Sequence, residues 1–185
     1  MSSSPPPAPA ALSAVAAAAE RAGERGLPPV HLWNPAHCGD IDIRILRDGC
    51  WLHEGAPIAR EALVRLFSTV LRKDPDGYWL VTPVEKLRIT VEDAPFTAVR
   101  VDRAGEALRF TTNVGDTVEA GPDNRLRVET DPATGEPAPY VHVRRGLEAR
   151  LTRPVFYELA DAAETRDGAL GVSSNGAWFA LGAAA

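Results

Sequence analysis

Glu85 and Lys86 stand side by side in the run 80–93, LVTPVEKLRITVED, where two strand-like stretches meet. The chain carries 18 arginines and only two lysines, so lysine at this joint departs from the default cation. An ammonium is a compact, movable donor and a guanidinium is a planar fork. A lysine at 86 fits either an anionic ligand or compositional drift. The other, Lys73, reads as the end of a helix, where a cation meets the negative pole of the dipole. Strand alternation places Leu87, Ile89 and Val91 on one face with Glu85 at its outer end, and Lys86 on the opposite face.

Other residue sets could also do chemistry. His37, Cys38, Cys50 and His53 supply four residues of zinc-ligand type within 17 residues. One of the two pairs is adjacent rather than spaced, which makes chelation by both members awkward. A core cysteine and a surface histidine explain the same positions. Cys38 beside His37, and Ser173-Ser174 in GVSSNG, are candidate nucleophiles, but no Gly-x-Ser-x-Gly elbow is present. Asp40 and Asp42 could share a strand face with Glu85 nearby and hold a divalent cation or share acid–base work. A turn and a solvated strand face account for them more simply. A hydrolase reading would combine Glu85 or Asp42 with His53 or His142.

No Walker loop and no Gly-x-Gly-x-x-Gly is present. Phosphate binding would therefore rest on separate cations and helix starts. Arg60 falls in the first turns of one helix and Arg153 just before another, where N–H groups favour anions. Lys86, His142 and Arg144 could converge with them on one anion through charge-assisted bonds. Tyr140 or Trp33 could stack on a base. Trp51, Trp79, Phe110 and Trp178 read as core.

Composition narrows the classes. A net charge of -5 argues against a sequence-independent nucleic-acid binder. No apolar run reaches the roughly 20 residues of a membrane span. Two cysteines and a start without a basic n-region point to reduced thiols and the cytoplasm. No cofactor motif is found.

The elements that must position these residues read as follows. MSSSPPPAP is expected to be disordered and residues 10–25 to form an Ala-rich helix. IDIRIL (41–46) and CWLH are strands joined at Asp48-Gly49. EGAPIARE opens a helix with Pro57 in its first turn. Its apolar face is Leu63, Leu66, Phe67, Val70 and Leu71, and its polar face Arg60, Glu61, Arg65, Ser68 and Arg72. KDPDG ends it, YWLVT is a strand, and Pro83 interrupts it before VEKLRITV. From residue 92 the pattern is mostly β: FTAVRVD–EALRFTT, RLRVET, YVHVRRGLEARL turning at Arg145-Gly146, and a last hairpin at Asn175-Gly176. TRPVFYELADAAE is a short helix with Thr152 as N-cap. Residues 41–82 and 140–181 repeat the same order of elements, each with a tryptophan in its closing strand, which implies a duplicated unit and a ligand site at the seam.

The stretches PPVHLWNPAHCGDIDIRI, GAPIAREALVRLFSTVL, YWLVTPVEK, DAPF, TNVGD and GEPAPYVHVRRGLEA…RPVFYEL together resemble the DUF1285 family, from about residue 28 to about 181. The resemblance implies duplicated α+β domains, the second similar to pleckstrin-homology-like β-structures. It also implies a nucleotide-type ligand at the domain interface and a signalling role, with no established activity. Thr82 to Lys86 match the family's TPVEK stretch, Thr112 to Asp116 its TNVGD turn, and Tyr140, His142 and Arg144 its Y-x-H-V-R.

The sequence thus predicts an α+β protein of two related halves, 28–91 and 92–185, after a leading segment 1–27. It predicts a non-enzymatic binding module for an anionic, nucleotide-like small molecule, reporting to a signalling protein partner. Arg60, Thr82, Glu85, Lys86, Asn113, Asp116, Tyr140, His142, Arg144 and Arg153 are its expected ligand contacts. A protein-interaction module using exposed strand edges is the remaining alternative.

Overall fold

The computed structural model describes residues 10–23 and 26–184. The expected disorder of residues 1–9 lies outside them. Packing divides the chain into two compact units, 1–46 with 50–92, and 47–49 with 93–185. The short turn Arg47–Gly49 thus belongs with the C-terminal unit.

In the N-terminal unit, α1 (Ala10–Gly23) buries Leu12, Val15, Ala18 and Ala19 and packs on α2 (Glu61–Thr69). Six strands follow in chain order: β1 (His37–Ile45), β2 (Trp51–His53), β3 (Ala56–Pro57), β4 (Leu71–Asp74), β5 (Gly77–Val81) and β6 (Glu85–Val91). They form one sheet in the order β3-β2-β1-β6-β5-β4, antiparallel except for the parallel pair β1/β6. Ile43, Ile45, Phe67, Val70, Leu80 and Leu87 fill its core.

Several sequence expectations shift here. Pro57 lies in β3, not in a helix; α2 starts at Glu61 with Arg60 as its N-cap. Proline suits a two-residue edge strand, because its missing N–H faces away from the ladder. The apolar spacing through Leu71 overran the helix, which stops at Thr69. Leu71 and Lys73 lie in β4, so Lys73 is a strand residue rather than a helix-end cation. Ser68 is buried rather than on the polar face, its hydroxyl donating to Arg65 O at 2.6 Å. Val91 is half-buried.

The C-terminal unit holds β7 (Phe96–Ala104), β8 (Ala107–Thr112), β9 (Thr117–Glu119), β10 (Leu126–Thr130), β11 (Pro137–Arg144) and β12 (Leu147–Leu151). Their order is β10-β11-β12-β7-β8-β9, again antiparallel except for one parallel pair, β7/β12. Each sheet is therefore two three-stranded meanders joined through one central parallel pair: β1/β6 in the first, β7/β12 in the second. Then come α3 (Arg153–Asp161) and a three-stranded sheet of β13 (Glu164–Arg166), β14 (Ala169–Ser174) and β15 (Ala177–Ala183). α3 ends three residues before Glu164, which is strand rather than the expected helix.

The two halves are related, but not in the frame that element order suggested. The sheet that matches β1–β6 is β7–β12, so 37–91 corresponds to 96–151. Residues 140–181 run strand, strand, helix and three strands, whereas 41–82 run three strands, helix and two strands. Moreover, β12 pairs with β7, and β13–β15 form a sheet of their own. Trp178 is half-buried with the Arg166 guanidinium 4.3 Å over its ring, rather than core.

Turn chemistry sets the hairpins. Arg145-Gly146 and Asn175-Gly176 both have positive φ at each residue (46° and 76°; 47° and 76°). This is the I′ geometry that matches strand twist and favours glycine second.

Candidate functional site

Lys86 lies on the β6 face that carries Trp79 and Asp74. Its Nζ stands 2.5 Å from Asp74 Oδ2 and 4.0 Å from the centre of the Trp79 ring. The ammonium thus meets a carboxylate and a π-face at once, which a point charge does without the planar demands of a fork. Arg72 Nη2 donates to the same Asp74 oxygen at 2.9 Å. Its Nε is an ion-pair contact 2.9 Å from Oδ1, off the hydrogen-bonding angle. Arg72 Nη1 also donates to the Val30 and Trp33 carbonyls, tying the 3₁₀ turn Val30–Leu32 to β4. Burial raises the Asp74 pKa, but bonds and charge from Arg72 and Lys86 outweigh it and leave the carboxyl below its ordinary value. This is a closed, paired cluster.

Glu85 faces the other way, as the alternation predicted, opposite His37 in the β1/β6 register. Its Oε1 is buried without a hydrogen-bond partner among the described residues. Thr82 is buried and organises the Thr82–Glu85 turn: its hydroxyl accepts from Val84 N at 3.3 Å and Glu85 N at 3.1 Å. Arg60 is exposed at the start of α2. Asp40 and Asp42 are exposed on β1, and His53 is half-buried on β2. Cys38 and Cys50 form no disulfide, and no group of three metal-ligating residues occurs among the described residues.

The C-terminal unit builds more. A cross-strand row of Arg127, Tyr140, Arg150 and Thr97 runs over β10, β11, β12 and β7. Tyr140 is buried at 6% exposure, with the Arg127 guanidinium 4.3 Å over its ring, so its face is taken and not open to a base. Its hydroxyl donates to Asp93 Oδ1 at 2.7 Å. Arg150 Nη1 donates to Asp93 Oδ2 at 2.7 Å. Burial first, and then the Asp93 carboxylate, push the Tyr140 phenol up to about 12. Arg127 forms a two-pronged pair with Glu148, both bonds at 2.7 Å.

Beside Arg150 lies Asp131, 4% exposed. It accepts from Ala133 N at 2.9 Å and from Arg47 Nη1 at 2.6 Å. The backbone bond, followed by the Arg47 guanidinium, holds its carboxyl below the usual range against burial. Arg47 and Arg150 then turn toward a cavity of about 460 Å³ at the start of α3. Arg153, Phe156 and Tyr157 form its helical wall, and Glu136 stands on its rim, 2.8 Å from Arg153 Nη2. Thr152 occupies the N-cap position as expected, but makes no side-chain bond to the first turn.

The other expected residues have structural duties. Asn113 clamps a turn, accepting from Thr97 N at 3.0 Å and donating to Gly49 O at 3.3 Å. Asp116 pairs with Arg144, whose guanidinium lies 5.1 Å from the Phe96 ring centre. His142 Nε2 accepts from Gly146 N at 3.0 Å and closes the β11–β12 hairpin. Of the ten expected contacts, Arg153 alone lines the cavity, and Tyr140 lies behind it. Sequence reasoning passed over Arg47, Arg150, Phe156 and Tyr157. Arg150 carried a readable signal as a lone cation between Ala149 and Leu151 in a strand. Arg47 lay hidden beside a turn.

Two six-stranded sheets of one topology define a duplicated α+β protein. Family models match both halves, the DUF1285 N-terminal domain over residues 28–94 and its C-terminal domain over 95–181. The chain belongs to the DUF1285 family, whose function is unknown. It is similar to the crystal structure of a DUF1285 family protein from Silicibacter pomeroyi DSS-3, at 53% identity over 91% of this chain and 94% of that one, with a TM-score of 0.85. It is also similar to one from Shewanella baltica OS155, at 27% identity over 64% of this chain and 90% of that one, with a TM-score of 0.53. None of the curated proteins matches it.

Proposed function

We propose that the protein is a binding module whose C-terminal unit takes a small organic anion, nucleotide-like in joining a flat ring to an anionic group, and reports it to a protein partner without turnover. The cavity carries the reading. At about 460 Å³ it falls within the roughly 300–1,000 Å³ of small-molecule sites. Arg47, Arg150 and Arg153 meet the rings of Phe156 and Tyr157 in it, a cationic wall beside an apolar one. Asp93 and Asp131 fix the Arg150 and Arg47 guanidinium groups, so these donors are oriented before a ligand arrives. The positive end of α3 adds to the same field.

The test is thermal unfolding of the full chain with adenosine, its mono- and cyclic monophosphates, and simple aromatic acids. A ligand that binds the folded state at 100 times its Kd adds about 2.7 kcal/mol. A rise in Tm with at least one anion, lost in Arg153→Ala and Phe156→Ala, is the expected result. No rise with any of them sinks the reading.

A further inference from the structure

The carboxylates around this cavity fall into two kinds. Asp93 and Asp131 stand behind the wall, 16% and 4% exposed, and do not line the space. They orient arginines and stay where they are. Glu136 lines the cavity, and its pair with Arg153 is open to solvent, at 57% and 67% exposure. An exposed pair contributes only about 0–1 kcal/mol, so an incoming anion displaces Glu136 from Arg153 at little cost. Glu136 therefore holds the guanidinium that a ligand's anionic group would take.

Charge then limits what enters. The lining presents three arginines (Arg47, Arg150, Arg153) against two carboxylates (Asp48, Glu136), leaving one net positive charge. Asp93 and Asp131 behind it bring the whole neighbourhood to one net negative charge. One ligand charge is matched by the wall. A second charge then faces four carboxylates against the same three arginines.

We propose that the cavity selects monoanions on a ring or apolar body, and that Glu136 is the selecting residue, a resident competitor that holds Arg153 and repels a doubly charged head. This rests on the reading of the cavity as a ligand site.

The experiment uses three probes on one ring system at pH 8: 2-naphthol, naphthalene-2-sulfonate with one charge, and 2-naphthyl phosphate with two. Titration calorimetry is run on the wild-type chain, Glu136→Gln and Arg153→Ala. The wild-type chain binds the sulfonate about tenfold more tightly than the phosphate ester, a difference of about 1.4 kcal/mol. Glu136→Gln closes that ratio to about threefold or less, chiefly by gaining affinity for the phosphate ester. Arg153→Ala weakens both anions and leaves naphthol as it was. If the wild-type chain binds the phosphate ester as well as the sulfonate, or Glu136→Gln leaves the ratio unmoved, the selection is refuted while the binding site stands. If the wild-type chain binds none of the three, the ligand-site reading fails with it.

Discussion

Truncating Asp93 probes the network on which the cavity wall stands. One oxygen accepts the Tyr140 hydroxyl and the other accepts Arg150, both at 2.7 Å. Asp93 and Arg150 side chains are 16% and 20% exposed. That places the pair between a surface pair, at about 0–1 kcal/mol, and a buried one, where losing one partner costs about 3–5 kcal/mol. Arg150 has a substitute in Asp131, but at 3.7 Å and already engaged by Arg47 at 2.6 Å. Asp93→Ala is therefore expected to cost about 2–4 kcal/mol, which lowers Tm by roughly 5–15 °C in a chain of this size. Tyr140→Phe removes one hydrogen bond to a charged acceptor, about 1.5–3 kcal/mol. The double variant should lose less than the sum by about 1 kcal/mol, since both substitutions break one contact.

The same network has a spectroscopic readout. The Tyr140 phenol has an ordinary value of 10.0 and is raised in the fold to about 12 by burial and by Asp93. Because the folded value is the higher one, the stabilisation is complete below the unfolded value and is lost as pH climbs through the folded one. Asp93→Ala should bring the phenolate absorbance change to lower pH, though not back to the ordinary value, because burial persists. Tyr140→Phe should delete that step. A cost below about 1 kcal/mol for Asp93→Ala, or strict additivity with Tyr140→Phe, would refute the reasoning.

Two further outcomes follow from the packing. Gly49 has φ +88°, and a Cβ there would lie 2.9 Å from Asn113 Nδ2 and 3.0 Å from Thr97 Oγ1; Gly49→Ala should cost about 1–3 kcal/mol in strain alone, read by urea unfolding. Lys86→Ala removes one of the two cations on Asp74, whose folded pKa is depressed. The stability Asp74 contributes is present above its unfolded value near pH 4 and lost as pH falls through the folded one. The variant should therefore lose about 1–2 kcal/mol at neutral pH, and its deficit against the wild-type chain should shrink in acid unfolding curves as Asp74 protonates in both.

Local signals were legible wherever a rule acts over a few residues. Asp48-Gly49, Arg145-Gly146 and Asn175-Gly176 marked real turns, because glycine adopts positive φ in each, joined by its neighbour in the last two. The alternation in VEKLRITV placed Leu87 and Ile89 inside and separated Lys86 from Glu85. Helix limits were less legible. Leu71 and Lys73 fit the helical spacing of α2, yet β5 recruits them as strand β4, since a strand edge offers Leu71–Asp74 four backbone partners that a helix end does not. Pro57 fits a helix start as well as an edge strand, and pairing with Leu52 decided for the strand.

By itself the sequence determined the α+β class, most strands, the three hairpin turns and the two-part organisation, all of which follow from periodicity and backbone preference along the chain. Tertiary structure alone decided the frame of the duplication and the place of the cavity. Parallel pairs such as β1/β6 and β7/β12 join residues about 50 apart, and nothing in a strand's own pattern names its parallel partner. The cavity likewise draws Arg47 from a turn, Arg150 from a strand and Arg153 from a helix. The three belong to different segments, and only the fold brings their charges onto one wall.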